Sequence, residues 1–396
     1  MPLSTGRWLK AARSHAAEMR AWRAEFHERP ELAYEEAETQ SVILRSLERL
    51  GIPFQTFPRF TGVVAHLGAD RSGPVVALRA DMDGLPIEEA TGWTHASRTR
   101  GQMHACGHDV HMAGLLGAAA VLREHEAELN GPVTLVFQPA EEQGERGGAQ
   151  PLIERGVLDS PRADFVLGLH VAPEIPLGRI GWGKGPVMAA ADRFRIAIHG
   201  TPGHAATPHR GPDAVLAAAE IVQGLQALVS RLRDPLDPVV ISVGSIHGGT
   251  RHNILPEEVV LEGTVRTMHP ETRTRMEGML KQRVRHLAQS VGARAEVGYF
   301  HGYPVTVNSP AATEIVVQGL GEEFGERSLL PLEKPLMGAE DFSRYLERVP
   351  GTFLFLGVGD RETTGHLHSP TFLPAEHAPV LGAATLLSAT AALQGA

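Results

Sequence analysis

The sequence predicts an α/β architecture in two domains, the second inserted into the first. Short β-rich runs alternate with helical stretches up to about residue 170, the pattern of a layered α/β sheet. A cluster of Gly181, Gly183, Gly185 and Pro186 then interrupts that pattern, and α/β character returns past Pro304. At 396 residues the chain is also longer than the roughly 250–300 at which a single core stops growing.

Taken in order, apolar residues recur at helical spacing from Thr5 to about Glu28 and from Glu35 to Leu50, where Gly51 and Pro53 end the second run. Strands are expected at Val63–Leu67, Val75–Arg79, Val133–Gln138 and Phe165–His170, short apolar runs bounded by turn residues. A helix over His111–Glu126 puts Leu115, Ala119 and Leu122 on one face. From Asp192, Phe194, Ile196 and Ile198 alternate as a strand, and an Ala- and Leu-rich helix runs from Pro212 to about Leu232. Strands Val239–His247 and Val259–Arg266, helix Glu271–Val291 and strand Ala293–Phe300 complete the order β-α-β-β-α-β, the ferredoxin-like unit. Its two helices would cover one sheet face and leave the other for association. Helix Ala311–Phe324 and strand Thr352–Gly357 belong again to the first domain. The expected boundaries are 1–186 with 304–396 for the first domain, a mixed-sheet α/β unit, and 187–303 for the insertion.

Composition narrows the partners. Lys and Arg number 37 against 46 Asp and Glu, a net charge of -9, the wrong sign for nucleic acid. No apolar stretch approaches the roughly 18 residues needed to cross a bilayer, and the charged amino-terminal segment does not read as a signal peptide. One cysteine, Cys106, forms no internal disulfide, which fits the cytoplasm.

In open α/β sheets functional groups gather beyond the carboxyl ends of strands, and those positions are rich in metal-binding side chains. RADMDGLPI (79–87) places Asp81 and Asp83 past one strand, and MHACGHDVH (103–111) brings Cys106 and His108 ahead of a helix. FQPAEE (137–142) carries Glu141 and Glu142, one strand ends on His170, and GHLHSP (365–370) holds His368. A thiolate and imidazole two positions apart suit borderline-soft divalent metals. Of two neighbouring glutamates, one can bind metal while the other stays free as a general base.

DMDGLPI, MHACGHDVHMAG, FQPAEE, the His170 strand and LHSP together resemble the metal-dependent aminoacylase and carboxypeptidase family, in its branch of hippurate hydrolases, N-acyl-amino-acid amidohydrolases and auxin-conjugate hydrolases. The resemblance spans the whole chain. It implies a catalytic domain with a ferredoxin-like lid that commonly mediates dimerisation. It further implies two divalent metal ions, drawn from Mn, Zn, Co or Ni, held by Cys106 as bridge with His108, Glu142, His170 and His368. Glu141 would activate a metal-bridging water, and Asp83 would orient a metal ligand. In the insertion, GTPGHAATPH (200–209) implies an oxyanion-stabilising role for His204, in several family members supplied from the partner subunit. GGTRHNILP (248–256) and GTVR (263–266) imply that Asn253 and Arg266 bind substrate and make them candidates for holding its carboxylate. MGAEDFS (337–343) is expected to line the substrate pocket.

The leading expectation is therefore a cytoplasmic, homodimeric or tetrameric amidohydrolase that cleaves an N-acyl amino acid into a carboxylic acid and a free amino acid. A dipeptidase or carboxypeptidase with the same metals is the alternative within enzymes, and a non-catalytic binder of acylated amino acids the alternative outside them. No G-x-S-x-G, H-E-x-x-H, C-x-x-C or Walker-type signature supports another chemistry.

Overall fold

The computed structural model describes residues 6–359 and 365–395. The chain divides into two compact units, 1–187 with 307–334 and 341–396, and 188–306 with 335–340.

The first unit is built on a mixed sheet of eight strands, ordered Phe54–Phe57, Phe60–Leu67, Val133–Gln138, Val76–Asp81, Phe165–Pro176, Gly351–Gly359, Ile180–Trp182 and Leu329–Pro331. The central four run parallel, and antiparallel pairings flank them. Parallel strands must be covered on both faces, and here every residue of Val76–Asp81 and Val133–Gln138 is buried. Helix His108–Glu124 is buried from His108 to Leu122, and helix Ala378–Gln394 is nearly as enclosed. The second of these was not expected from the sequence, because a helix apolar all round leaves no amphipathic period.

Several expected boundaries move. The amino-terminal helical run breaks at His15 into Arg7–Ser14 and Ala16–His27, and its expected start at Thr5 lies outside the described residues. The next helix covers Ala37–Leu50 and ends at Gly51, whose φ of 64° a side chain would resist. The helix expected from His111 begins at His108, because Gly107 turns the chain at φ 84° just before it. The strand expected to end on His170 continues to Pro176. Part of the Gly181–Pro186 cluster is strand, Ile180–Trp182, rather than linker.

The second unit holds a four-stranded antiparallel sheet ordered Val239–Gly248, Glu258–Thr267, Ala190–His199 and Arg294–His301. Helices Ala214–Arg231 and Pro270–Ser290 pack with it around a separate core that includes Phe194, Ile196, Leu225, Leu261, Met276 and Leu280.

Candidate metal centre

Sheet topology explains why distant segments meet. Val76–Arg79 pairs with Phe165–Gly168, so the longer strand passes beyond its neighbour's carboxyl end before it reaches His170. Asp83 follows the Val76–Asp81 strand, Glu141 and Glu142 follow Val133–Gln138, and helix His108–Glu124 points its first turn to the same end.

Cys106 is the common member of the cluster. Its Sγ lies 3.2 Å from His170 Nε2 and 3.3 Å from His368 Nε2, and His368 Nε2 lies 3.1 Å from Glu142 Oε1. Two groups have ligand atoms mutually within 4.8 Å, Cys106 with His108 and His170, and Cys106 with Glu142 and His368. A third joins His108, Glu141 and Glu142. His368 reaches the cluster from a left-handed backbone (φ 63°), fixed by its N–H donating to Ala105 O at 2.8 Å.

Charge and hydrogen bonding fit these residues to divalent cations. Burial, reinforced by the Glu142 and Glu141 charges, holds the Cys106 thiol well above its ordinary range, so the negative density here calls for a positive partner. Burial pushes His170 down to about 3, with His111 adding to the effect, which leaves the neutral imidazole a metal requires. His108 Nε2 is buried without a hydrogen-bond partner among the described residues. Burial would lower the His108 pKa, but Asp81, Asp83 and Glu142 outweigh it and raise it to about 10, so the surrounding carboxylates favour a positive charge here.

Asp83 organises the loop opposite. Its backbone O is 2.8 Å from His108 Nδ1, which turns Nε2 toward the cluster. Its carboxylate accepts the Glu141 N–H at 3.0 Å and the Glu142 N–H at 2.9 Å. Glu141 is buried at the start of the short 3-10 turn Glu141–Gln143.

Asp81, His108 and His111 also lie close enough to suggest a ligand set, but hydrogen bonding excludes it. His111 Nε2 accepts the Val171 N–H at 3.0 Å, and Nδ1 faces Asp81 Oδ1 at 2.6 Å. Both nitrogens are therefore committed, and Arg79 Nη1 already pairs with Asp81 at 2.6 Å. His111 serves the centre by holding the backbone beside His170. Asp341, in the MGAEDFS segment, is fully buried and accepts from Arg79, Gln138 and the Gly148 and Ala149 N–H groups.

His204, Asn253 and Arg266 lie in the second unit. His204 pairs with Ile254 across a two-residue ladder, and the Ala205 N–H donates to Asn253 O at 3.1 Å, so the first two are physically linked. The exposed His204 ring accepts the Ala206 N–H at Nδ1 (3.0 Å), which places its proton on Nε2. Arg266 sits half-buried on strand Glu258–Thr267.

A mixed α/β sheet with a cluster of donor side chains able to hold metal beyond its strand ends is an arrangement suited to a metal-dependent hydrolase. Residues 77–390 match peptidase family M20/M25/M40, and the chain belongs to that family. It is 41% identical over 353 residues to N-acetyl-L-cysteine deacetylase of Bacillus subtilis, covering 88% of this chain and 82% of that one. It is 38% identical over 366 residues, 91% of each chain, to thermostable carboxypeptidase 2 of Saccharolobus solfataricus. The crystal structure of Bacillus subtilis YXEP protein, described as a dinuclear metal binding peptidase, superposes with a TM-score of 0.83 at 32% identity, covering 97% of this chain and 99% of that one.

Proposed function

We propose that the chain hydrolyses N-acyl amino acids to a carboxylic acid and a free amino acid at a site that takes two divalent cations. The observation that carries this reading is the Cys106 sulfur shared by two donor groups, with the Glu141 carboxylate beside them. Cys106, His108, Glu142, His170 and His368 would hold the cations, which when bound supply Lewis acidity toward the amide carbonyl and toward water.

Glu141 takes a proton from the attacking water and delivers it to the leaving nitrogen. Asp83 keeps that carboxylate in place through the Glu141 and Glu142 amides. His204, whose Nε2–H is free of its own backbone, is read as the donor that meets the oxyanion, from this chain or from a partner subunit. Asn253 and Arg266 are read as holding the substrate carboxylate. The strand order of residues 188–306, with two helices packed around one core, supports reading this unit as a ferredoxin-like lid and dimerisation domain.

Homology to a carboxypeptidase at 38% identity keeps peptide hydrolysis as a second reading. Cytoplasmic location is part of the proposal and rests on the lone thiol. The test is amino-acid release from N-acetyl, N-benzoyl and indole-acetyl amino acids, with free dipeptides alongside, after loading with Mn, Zn, Co or Ni. Chelator-sensitive release from acyl substrates is expected; release confined to dipeptides would move the chain to the peptidase reading.

A further inference from the structure

The loop that bears Glu141 and Glu142 is tied down at successive points. Asp83 takes the amides of 141 and 142, and Asp341 takes those of 148 and 149. The amide just before Glu141 goes elsewhere. Ala140 N–H donates to Glu36 Oε1 at 2.9 Å, across 104 residues of sequence. The same oxygen accepts the Tyr34 N–H at 2.9 Å, and Thr61 Oγ1 donates to Oε2. Glu36 is fully buried. From the same segment, Tyr34 Oη donates to Gly147 O at 2.6 Å, so residues 34–36 grip both ends of the loop.

Ala140 needs such a grip. It is buried and sits at φ 58°, a left-handed conformation that costs a residue with a Cβ roughly 1–2 kcal/mol. Consecutive amides in this conformation form a concave nest that favours a carboxylate. Released from Glu36, Ala140 would relax toward right-handed or extended backbone and swing the Glu141 peptide with it.

We propose that Glu36 is a positioning residue for Glu141: by accepting the Ala140 amide it holds the left-handed turn that aims the general base. This rests on the functional reading above. It asks for an acceptor oxygen rather than for a charge, so glutamine should substitute, its Oε1 taking both amides and its amide donating to the Thr61 hydroxyl. Burial, with Asp83 nearby, raises the Glu36 pKa to about 7, and a neutral group is accordingly tolerated there.

The experiment compares E36A, E36Q and the double variant E36A/A140G with wild type, measuring kcat, KM, bound metal per chain and hydrogen exchange at the 140–142 amides. E36A is expected to lose kcat by about 10- to 100-fold, the scale of a misplacement near 1 Å, with KM unchanged and faster exchange. E36Q should stay within about threefold of wild type. Glycine at 140 removes the left-handed penalty, so the double variant should recover part of the lost kcat. Should E36A fail to fold, E36M keeps the bulk without the acceptor and takes its place. Unchanged kcat in E36A, equal losses in E36A and E36Q, or no recovery in the double variant would overturn the proposal. If wild type hydrolyses no N-acyl amino acid, the functional reading fails instead, and exchange judges the proposal alone: unchanged rates at 140–142 in E36A would end it.

Discussion

His111 accepts the backbone N–H of Val171 through Nε2 at 3.0 Å. An imidazole nitrogen that accepts carries no proton, so the ring is the Nδ1–H tautomer and donates to Asp81. Burial, which outweighs the opposing Asp81 charge, lowers the His111 pKa and keeps it in that form. The residue beyond His170, one of the proposed metal ligands, is thereby fixed by a side chain whose two ring nitrogens are both already hydrogen-bonded.

Replacing His111 with phenylalanine fills the space and removes both hydrogen bonds. Metal affinity should fall about 10- to 100-fold, the usual loss when groups supporting metal ligands are removed. Competition against a chromogenic chelator measures it, and undiminished affinity would show that Val171 needs no anchor.

Glu141→Gln keeps the shape of the side chain and removes its basicity. Metal content should stay at the wild-type level while kcat drops by about 100- to 10,000-fold. Turnover at the wild-type rate would transfer the base role to another group.

Cys106→Ala deletes the donor common to both groups. Native mass spectrometry should find fewer metal ions per chain than in wild type, and Cys106→Asp, an anionic donor of similar reach, should recover part of the loss. Full occupancy in the alanine variant would contradict a shared sulfur.

His27 links pH to stability. Burial would lower its pKa, but Asp109 at 3.0 Å and Glu89 at 3.2 Å outweigh that and raise it from 6.5 to about 9. A base bound more tightly to its proton in the folded state stabilises fully below the unfolded pKa of 6.5, and the contribution is lost as pH rises through about 9. At 1.36 kcal/mol per unit the effect is on the order of 3 kcal/mol. Urea midpoints of wild type and His27→Gln should be far apart at pH 6 and converge above pH 9; a constant separation would refute the linkage.

Arg79 sits between two buried carboxylates, Asp81 at 2.6 Å and Asp341 at 2.8 Å. Arg79→Met removes the guanidinium that both carboxylates share, and breaking one buried pair costs roughly 3–5 kcal/mol. Thermal unfolding should begin well below the wild-type transition, and Asp341→Asn in the Arg79→Met background should win back part of the difference. An unshifted transition would show that these charges are otherwise compensated.

That Cys106, His108, Glu142, His170 and His368 come together could be expected from the sequence because each proposed donor sits in a short motif next to a strand or helix end. What could not be read depends on tertiary pairing. The His170 strand continues to Pro176 because Gly351–Gly359 extends beside it on one edge, which no local pattern reveals. Glu36 serves the Glu141 loop from far along the chain, and in sequence it is one more acidic residue among 46; Asp341 belongs to the MGAEDFS motif, but nothing in that motif tells that it holds the amides of 148 and 149. Glu36 stands within AYEEAE, a run that reads as a solvated face until the Ala140 amide is seen above it. The early start of the His108 helix follows from the backbone turn at Gly107, and the sequence offers only the glycine itself as a clue.

The chain has one sulfhydryl, and it stands where both donor groups meet. Any optical or chemical signal from cysteine is therefore a signal from this centre, free of background. Cobalt loading should give a sulfur-to-metal absorption band that reports occupancy directly. Disulfide-exchange reagents should modify the apo protein slowly, since the thiol is buried and held protonated, and the loaded protein more slowly still. The same sulfur makes peroxide a potential inhibitor, because oxidation beyond the sulfenic acid is irreversible by thiols and no second cysteine stands by to form a protective disulfide.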